Sequence, residues 1–214
     1  MFRQRLRVYF NKEGLARFLG HHDLMRLWER ALRRTGLPLA YSAGYNPRPQ
    51  ISFPVALALG IESREEVCEA ELVRWTPPRR AEESLEGKLP EGIGIVGVES
   101  MPHSQKAEVT GTVFAVEAGL EIEDLPARIE AFMQCDEALV ERRARSGTKS
   151  VNVRKFVESI RLDGADIRMT LTVGPDGTAR PEEVVAAILE LPVDQIQDRL
   201  KIVRTRLRLA PPPQ

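Results

Sequence analysis

Cysteine is scarce in this sequence: Cys68 and Cys135 are the only two among 214 residues, and they stand far apart. Without Cys-x-x-Cys spacing they argue against a disulfide framework, a zinc knuckle or an iron–sulfur cluster held by this chain alone. Long apolar runs are missing too. No stretch approaches the roughly 18 apolar residues that read as a bilayer-spanning helix. Met1-Phe2-Arg3-Gln4-Arg5 leads into alternating residues rather than the apolar core of a signal peptide, so the cytoplasm is the expected compartment and no membrane is an expected partner. Net charge is absent, because 31 basic residues offset 31 acidic ones. No global field draws the chain to nucleic acid, and any such affinity must come from local segregation of charge. The sequence also lacks a Gly-x-Gly-x-x-Gly fingerprint, a Walker loop, a Gly-x-Ser-x-Gly elbow and a His-Glu-x-x-His helix. No cofactor is therefore expected, and chemistry performed by this chain alone is not favoured.

What is present is an ordinary globular composition, 43% hydrophobic and 29% charged, in a chain long enough for one large domain or two small ones. From Arg3 to Phe10 the residues alternate, with Leu6, Val8 and Phe10 on one side and Arg3, Arg5, Arg7 and Tyr9 on the other, as in a half-buried strand. Asp23 reads as an N-cap before Leu24, Leu27, Trp28, Ala31 and Leu32, whose spacing predicts an amphipathic helix ending near Thr35-Gly36. Arg30, Arg33 and Arg34 complement the negative end of that helix. Strands are predicted over 37–41, 50–59 and 67–75, then a helix over 79–88 and a strand over 93–101.

The second half repeats the order. Strands are expected over 110–117 and 138–145, with a strand region spanning 151–161 and 167–173 and a last strand over 201–209. Helices are expected over 124–134 and 181–191, the latter opened by Pro181 and closed by Pro192. Each half approximates β-α-β-β-α-β. The fold class is therefore α+β, with tandem ferredoxin-like halves built on antiparallel sheets. The halves span 1–103, with an inserted loop or hairpin, and 106–210, leaving 211–214 as a flexible tail.

Four constellations invite a functional reading. Arg5 and Arg7 on the first strand, and Arg204 and Arg206 on the last, would form a cationic surface on an uncovered sheet face, with Tyr9 placed to stack a base. The alternative is that they are solvated edge charges that discourage aggregation. Arg142, Arg143, Arg145 and Lys149, continuing to Arg154-Lys155, surround a Ser-Gly turn without any acidic residue. That pattern suits a phosphate backbone, an acidic protein patch or simple solubility. His22 and Asp23, beside Gly20-His21, are candidates for a general base and its partner, or for a cap and a loop hydrogen bond; their spacing does not make a helical zinc site. The segment Tyr41-Ser42-Ala43-Gly44-Tyr45-Asn46-Pro47-Arg48-Pro49 is stiff and turn-rich, and Tyr45, Asn46 and Arg48 make it the preferred contact loop for RNA or a partner.

Several runs together resemble the radical-SAM-linked protein family. They are Gly20-His21-His22-Asp23-Leu24-Met25-Arg26, Arg33-Arg34-Thr35-Gly36-Leu37-Pro38, the loop from Tyr41 to Pro49, and Leu59-Gly60-Ile61-Glu62-Ser63. Val151-Asn152-Val153-Arg154 and Arg180-Pro181-Glu182-Glu183-Val184 extend the likeness over nearly the whole chain. The resemblance implies an uncharacterised bacterial accessory protein encoded beside, or fused to, a radical SAM protein. The Cys-x-x-x-Cys-x-x-Cys run that binds the cluster is absent here, so the radical chemistry would belong to that separate partner. A looser likeness, of fold alone, is to the CRISPR repeat-processing endonucleases. Three functions follow as expectations: an accessory protein that binds structured RNA through a basic face, a protein–protein adaptor for the radical SAM partner without nucleic acid, and a metal-independent endoribonuclease with His22 as base.

Overall fold

The computed structural model describes residues 3–117, 122–144, 147–164 and 166–211. The chain divides into two compact units, one running to Val109 and resuming at Leu209, the other spanning Thr110–Arg208. Both are mixed α and β, dominated by sheet, and every strand pair whose direction is resolved is antiparallel.

In the first unit the order is β1 (Gln4–Lys12), a 3-10 turn (Gly14–Phe18), α1 (His21–Arg33), β2 (Ile51–Ser52), β3 (Glu62–Leu72), α2 (Pro78–Leu85) and β4 (Ile95–Pro102). The sheet runs β4-β1-β3, with β2 on the far edge of β3. The alternation on β1 is realised: Leu6, Val8 and Phe10 meet Trp28, Leu32, Leu72, Ala81 and Leu85 in one core. Phe10 and Trp28 pack with ring centroids 4.9 Å apart. Burying each large apolar side chain there contributes roughly 1.5–3 kcal/mol.

Helix α1 starts earlier than Asp23. Gly20 is its N-cap, Leu24 N–H donates to the Gly20 carbonyl at 2.9 Å, and Asp23 lies in the first turn. Its carboxylate complements the positive helix end there without capping it. Termination is as read: Thr35 Oγ1 donates to Leu32 O at 2.6 Å, and Gly36 takes φ +70°. The expected strands over 37–41 and 50–59 shrink to isolated bridges, Leu39 with Leu72 and Tyr41 with Pro49, plus the two-residue β2. Pro54 and a left-handed Gly60 break the later stretch. β3 instead begins at Glu62, where Ser63 pairs with Lys12.

The second unit contains β5 (Val109–Glu117), α3 (Leu125–Gln134), β6 (Leu139–Ala144), β7 (Gly147–Asn152), β8 (Val157–Asp163), β9 (Asp166–Thr172), α4 (Pro181–Leu189), α5 (Val193–Ile196) and β10 (Lys201–Leu209). Its sheet order is β10-β5-β9-β8. β6 and β7 form a two-stranded hairpin around the expected Ser-Gly turn, but one that stands apart from the sheet its strands were expected to join. The expected strand over 151–161 is cut at Val153–Phe156. Asn152 Oδ1 accepts the backbone N–H of Ala138 and Arg154 at 3.1 Å each, and the Arg154 guanidinium donates to the carbonyls of Met133 and Val157. Arg154 thus braces a corner and is not a free cation of the hairpin tip. Of the expected tail 211–214, residues 212–214 lie outside the described residues.

Candidate binding site

The uncovered arginine face expected on β1 is covered. Register places Arg5 opposite Glu71 and Arg7 opposite Glu69, on the side away from the helices. Arg5 is 2% exposed and Arg7 6%. Arg5 donates to Glu71 at 3.0 Å, to Glu69 at 3.4 Å and to the His103 carbonyl at 3.0 Å. Arg7 bonds Glu69 through two nitrogens at 3.1 and 3.0 Å, and Ala107 N–H donates to the same carboxylate oxygen. His103 Nε2 sits 3.0 Å from Glu71. Residues 103–107 therefore lie across this face and supply the backbone partners that buried guanidiniums require. Tyr9 is also engaged, donating its hydroxyl to Glu99 at 3.0 Å. Burial first, then that contact with a carboxylate, raises its pKa. A phosphate-binding face is thereby corrected to a neutralised ion-pair layer.

The other expected cations divide the same way. Arg204 is 4% exposed, with its guanidinium 5.6 Å from the Phe114 ring centroid, so it too leaves the expected cationic surface. Arg206 is exposed. Arg142 forms a two-nitrogen pair with Glu183 at 2.6 and 2.5 Å and donates to Thr178 O, so it staples β6 to α4 rather than facing solvent. The hydrogen bond to Glu183 raises its pKa. Arg143 and Lys149 are exposed, and Arg145 lies outside the described residues.

His22 and Asp23 are exposed on the first turn of α1. His22 meets His21 edge to face at 5.8 Å, and His21 meets Phe53 at 5.9 Å. Among the described residues no hydrogen bond joins His22 to Asp23, so the base lacks its orienting partner. No His/Cys/Asp/Glu group among them is arranged to hold a metal.

The loop after Leu39 is where expected residues stay open. Tyr41 bridges Pro49, Ser42 N–H donates to Arg48 O at 2.8 Å, and Arg48 N–H donates to Ser42 Oγ at 3.1 Å. Ala40 and Gln50 continue the ladder and tie it to Glu71 of β3. These bonds make a narrow hairpin whose tip presents Tyr45 at 101% exposure, with Asn46 and Arg48 also in solvent. Tyr41 is 46% exposed at its base. Arg33 Nη2 donates to Pro47 O at 3.3 Å, which holds the tip beside the C-terminal end of α1.

Sequence reasoning assigned Arg30, Arg33 and Arg34 only to the helix dipole and gave Arg26 no role of its own. Opposite the buried stripe Leu24-Trp28-Ala31-Leu32, the residues Arg26, Arg30, Arg33 and Arg34 are all exposed. Their spacing of four, three and one was the available signal. Among the described residues neither these four nor Arg48 enters an ion pair. Arg34 reaches only the Lys88 carbonyl, at 2.6 Å. Five guanidiniums and a solvent-facing tyrosine thus gather on α1 and the adjoining hairpin.

No helix among the described residues is long and apolar enough to cross a membrane. Among curated proteins none matches the sequence. A chain from a crystal structure of a Cbf5-Nop10-Gar1 complex is similar at a TM-score of 0.43 and 11% identity, over 94% of this chain and 48% of that one, so this chain spans about half its length. An unknown protein from Galdieria sulphuraria is similar at a TM-score of 0.28 and 14% identity, over 98% and 100% of the two chains. At these scores neither likeness carries weight for fold or function. The model of a family described as uncharacterized protein conserved in bacteria (DUF2344) matches residues 5–181, and the chain belongs to that family.

Proposed function

We propose that this protein is an RNA-binding accessory factor that works with a separate radical SAM enzyme, and that it grips RNA through α1 and the 41–49 hairpin. We also read its units as tandem ferredoxin-like halves, spanning about 1–103 and 106–210 as the sequence suggested. The strand order β4-β1-β3-β2 and its counterpart β10-β5-β9-β8 support this, with the β6–β7 hairpin as an insertion. The observation that carries the RNA reading is the set of unpaired, exposed arginines around Tyr45, whose ring stands wholly in solvent on a hydrogen-bonded tip. Guanidiniums suit phosphates, and an exposed aromatic suits an unstacked base. The radical SAM partner rests on the resemblance of the motif runs.

Filter binding with total bacterial RNA tests the reading. Affinity falls steeply as salt rises, and Arg30→Ala, Arg33→Ala and Arg48→Ala each reduce the slope of log K against log salt by roughly 0.7–0.9. Tyr45→Ala weakens binding by about 1–3 kcal/mol. Absence of salt-sensitive binding sinks the reading, and so does binding indifferent to all four substitutions. A second reading, a protein–protein adaptor without nucleic acid, is favoured by one observation: Tyr41 and Tyr45 are both exposed on a braced hairpin, as contact anchors are. In that case co-purification with the radical SAM protein survives nuclease and is lost in Tyr45→Ala plus Arg48→Ala.

A further inference from the structure

In the second unit a cleft of ≈ 800 Å³ opens between the β6–β7 hairpin and helices α4 and α5. It belongs to neither the hairpin nor the arginines of the first unit. Its volume falls in the range of ligand-binding pockets, about 300–1,000 Å³. On one side β6 contributes Leu139, which is 61% exposed, and on the other Leu191 stands 41% exposed. Between them the α4 surface is kept low by Ala186 and Ala187.

The charges of the cleft sort into spent and available ones. Arg142 and Glu183 are spent on each other, and Glu183 also accepts the backbone N–H of Arg180 at 2.9 Å. Arg180 Nε lies 3.9 Å from Glu183 as well, so what remains is Glu141, Glu182, Glu190 and Asp194 against Arg143. Glu182 and Ala186 lie four residues apart on α4 and so share one side of the helix, while Glu190 follows its last helical residue, Leu189. One carboxylate oxygen of Glu182 is shielded from solvent and has no hydrogen-bond donor. An unmet buried acceptor is costly, and a donor supplied by a ligand relieves that cost.

We infer that this cleft binds a ligand with an alkylammonium or guanidinium head on a short apolar stem. The head pairs with Glu182, whose terminal torsion is broad enough to turn its free oxygen toward the cleft. The stem lies over Ala186 and Ala187 between Leu139 and Leu191. An anion is disfavoured because the available carboxylates outnumber the available guanidiniums, and the half-buried arginine is already paired. A neutral apolar ligand leaves Glu182 unmet. Burial raises the pKa of Glu182, and with the neighbouring Glu183 it outweighs the backbone hydrogen bond and the charges of Arg180 and Arg142, which lower it. The head has two natural sources, a free polyamine or a lysine or arginine side chain of another protein.

Calorimetric titration of the full chain with spermidine and, separately, with acetyl-Gly-Arg-Gly-amide tests the inference. One-to-one saturable binding of either probe is expected, with no binding of the neutral 1,4-butanediol. Glu182→Gln, which preserves shape, weakens the probe that binds by about tenfold or more. Ala187→Leu fills the half-buried floor and weakens it similarly, while Arg206→Ala changes nothing. Spermidine alone binding identifies a polyamine and the peptide alone a partner's basic side chain; either outcome supports the inference. Failure of both probes to saturate overturns it, and so does binding that neither Glu182→Gln nor Ala187→Leu alters while both variants melt with the wild-type cooperativity.

Discussion

On β1, Arg5 and Arg7 lie under residues 103–107 with their charges matched by Glu69 and Glu71, whereas on α1 Arg26, Arg30, Arg33 and Arg34 stand in solvent without an acid. Both sets repeat at the period of their element, two on the strand and three to four on the helix. The period reports which side chains share a face. It does not report whether that face is covered, and here the strand arginines are architecture while the helix arginines are left for something else. The second unit repeats the contrast on adjacent residues: Arg142 is locked to Glu183, and Arg143 is exposed.

The strongest way to break the contrast is to remove the acid shared by both buried arginines. Glu69→Ala leaves Arg5 with Glu71 alone, leaves Arg7 without an acid and strips Ala107 N–H of its acceptor. Breaking a buried pair costs about 3–5 kcal/mol because a desolvated charge is left behind. Urea unfolding should show a loss of that size. Replacing acid and base together, as in Arg7→Met with Glu69→Leu, should cost less than Glu69→Ala. An unchanged midpoint for Glu69→Ala would mean the layer is hydrated and the strand arginines are no different from those on the helix.

Next in size is Arg142→Ala, which removes both side-chain donors to a Glu183 carboxylate that is 3% exposed. Loss of this charge-assisted pair should cost about 2 kcal/mol. Arg143→Ala on the same strand should stay within about 0.5 kcal/mol. Equal effects would erase the distinction between the two neighbours.

How much of this was legible depends on range. The alternation from Arg3 to Phe10 gave the right faces of β1, and the residues 201–209 gave β10 at its observed bounds. Local chemistry also placed the end of α1 near Thr35-Gly36, just past its last helical residue, Arg33. What stayed hidden were pairings between distant residues. Nothing near Arg5 says that His103, 98 residues on, will bring its carbonyl across the same face. β6 reads as a sheet strand, yet it pairs only with β7, because Asn152 and Arg154 turn the chain before β8 by bonding backbone groups that no period encodes. The hairpin at Tyr45 was legible because its turn residues and exposed aromatics are contiguous. On α1, Arg30, Arg33 and Arg34 are visible too, but the helix dipole already accounts for them, and Arg26, a turn earlier, has no local signal of its own.

Acid separates two carboxyls in opposite directions. Burial alone would raise Glu71, but the hydrogen bond from His103 and the charges of Arg5, His103 and Arg3 outweigh it, so its pKa is lowered. The folded state then binds fewer protons than the unfolded one in the carboxylate range. Glu71 therefore contributes stability above its unfolded pKa, and that contribution is lost as pH falls through the lowered folded value. Glu182, raised chiefly by burial, has the reverse sign: ionising it costs stability as pH rises toward neutrality. Urea unfolding at several pH values should show Glu71→Gln destabilising near neutrality and losing its effect in acid. Glu182→Gln should be stabilising near neutrality and neutral in acid. Parallel pH profiles would show that the two carboxyls share one environment.

The smallest effect bears most directly on function. Arg26 and Arg30 are four residues apart, as are Arg30 and Arg34, and like charges at that spacing destabilise a helix by about 0.2–0.5 kcal/mol. The buried layer beneath residues 103–107 shows that this unit places acids beside arginines where it needs them, yet α1 has no such acid paired on its exposed side. Arg30→Gln should therefore raise the unfolding midpoint slightly in dilute buffer, and the gain should fade in 1 M salt, where the Debye length is about 3 Å. The same substitution should weaken RNA binding, so one residue would trade stability for affinity. A loss of stability would mean that Arg30 has a structural partner in solution. A gain with unchanged RNA affinity would leave the repulsion without a purpose, and would move the proposed contact to Tyr45 and the hairpin alone.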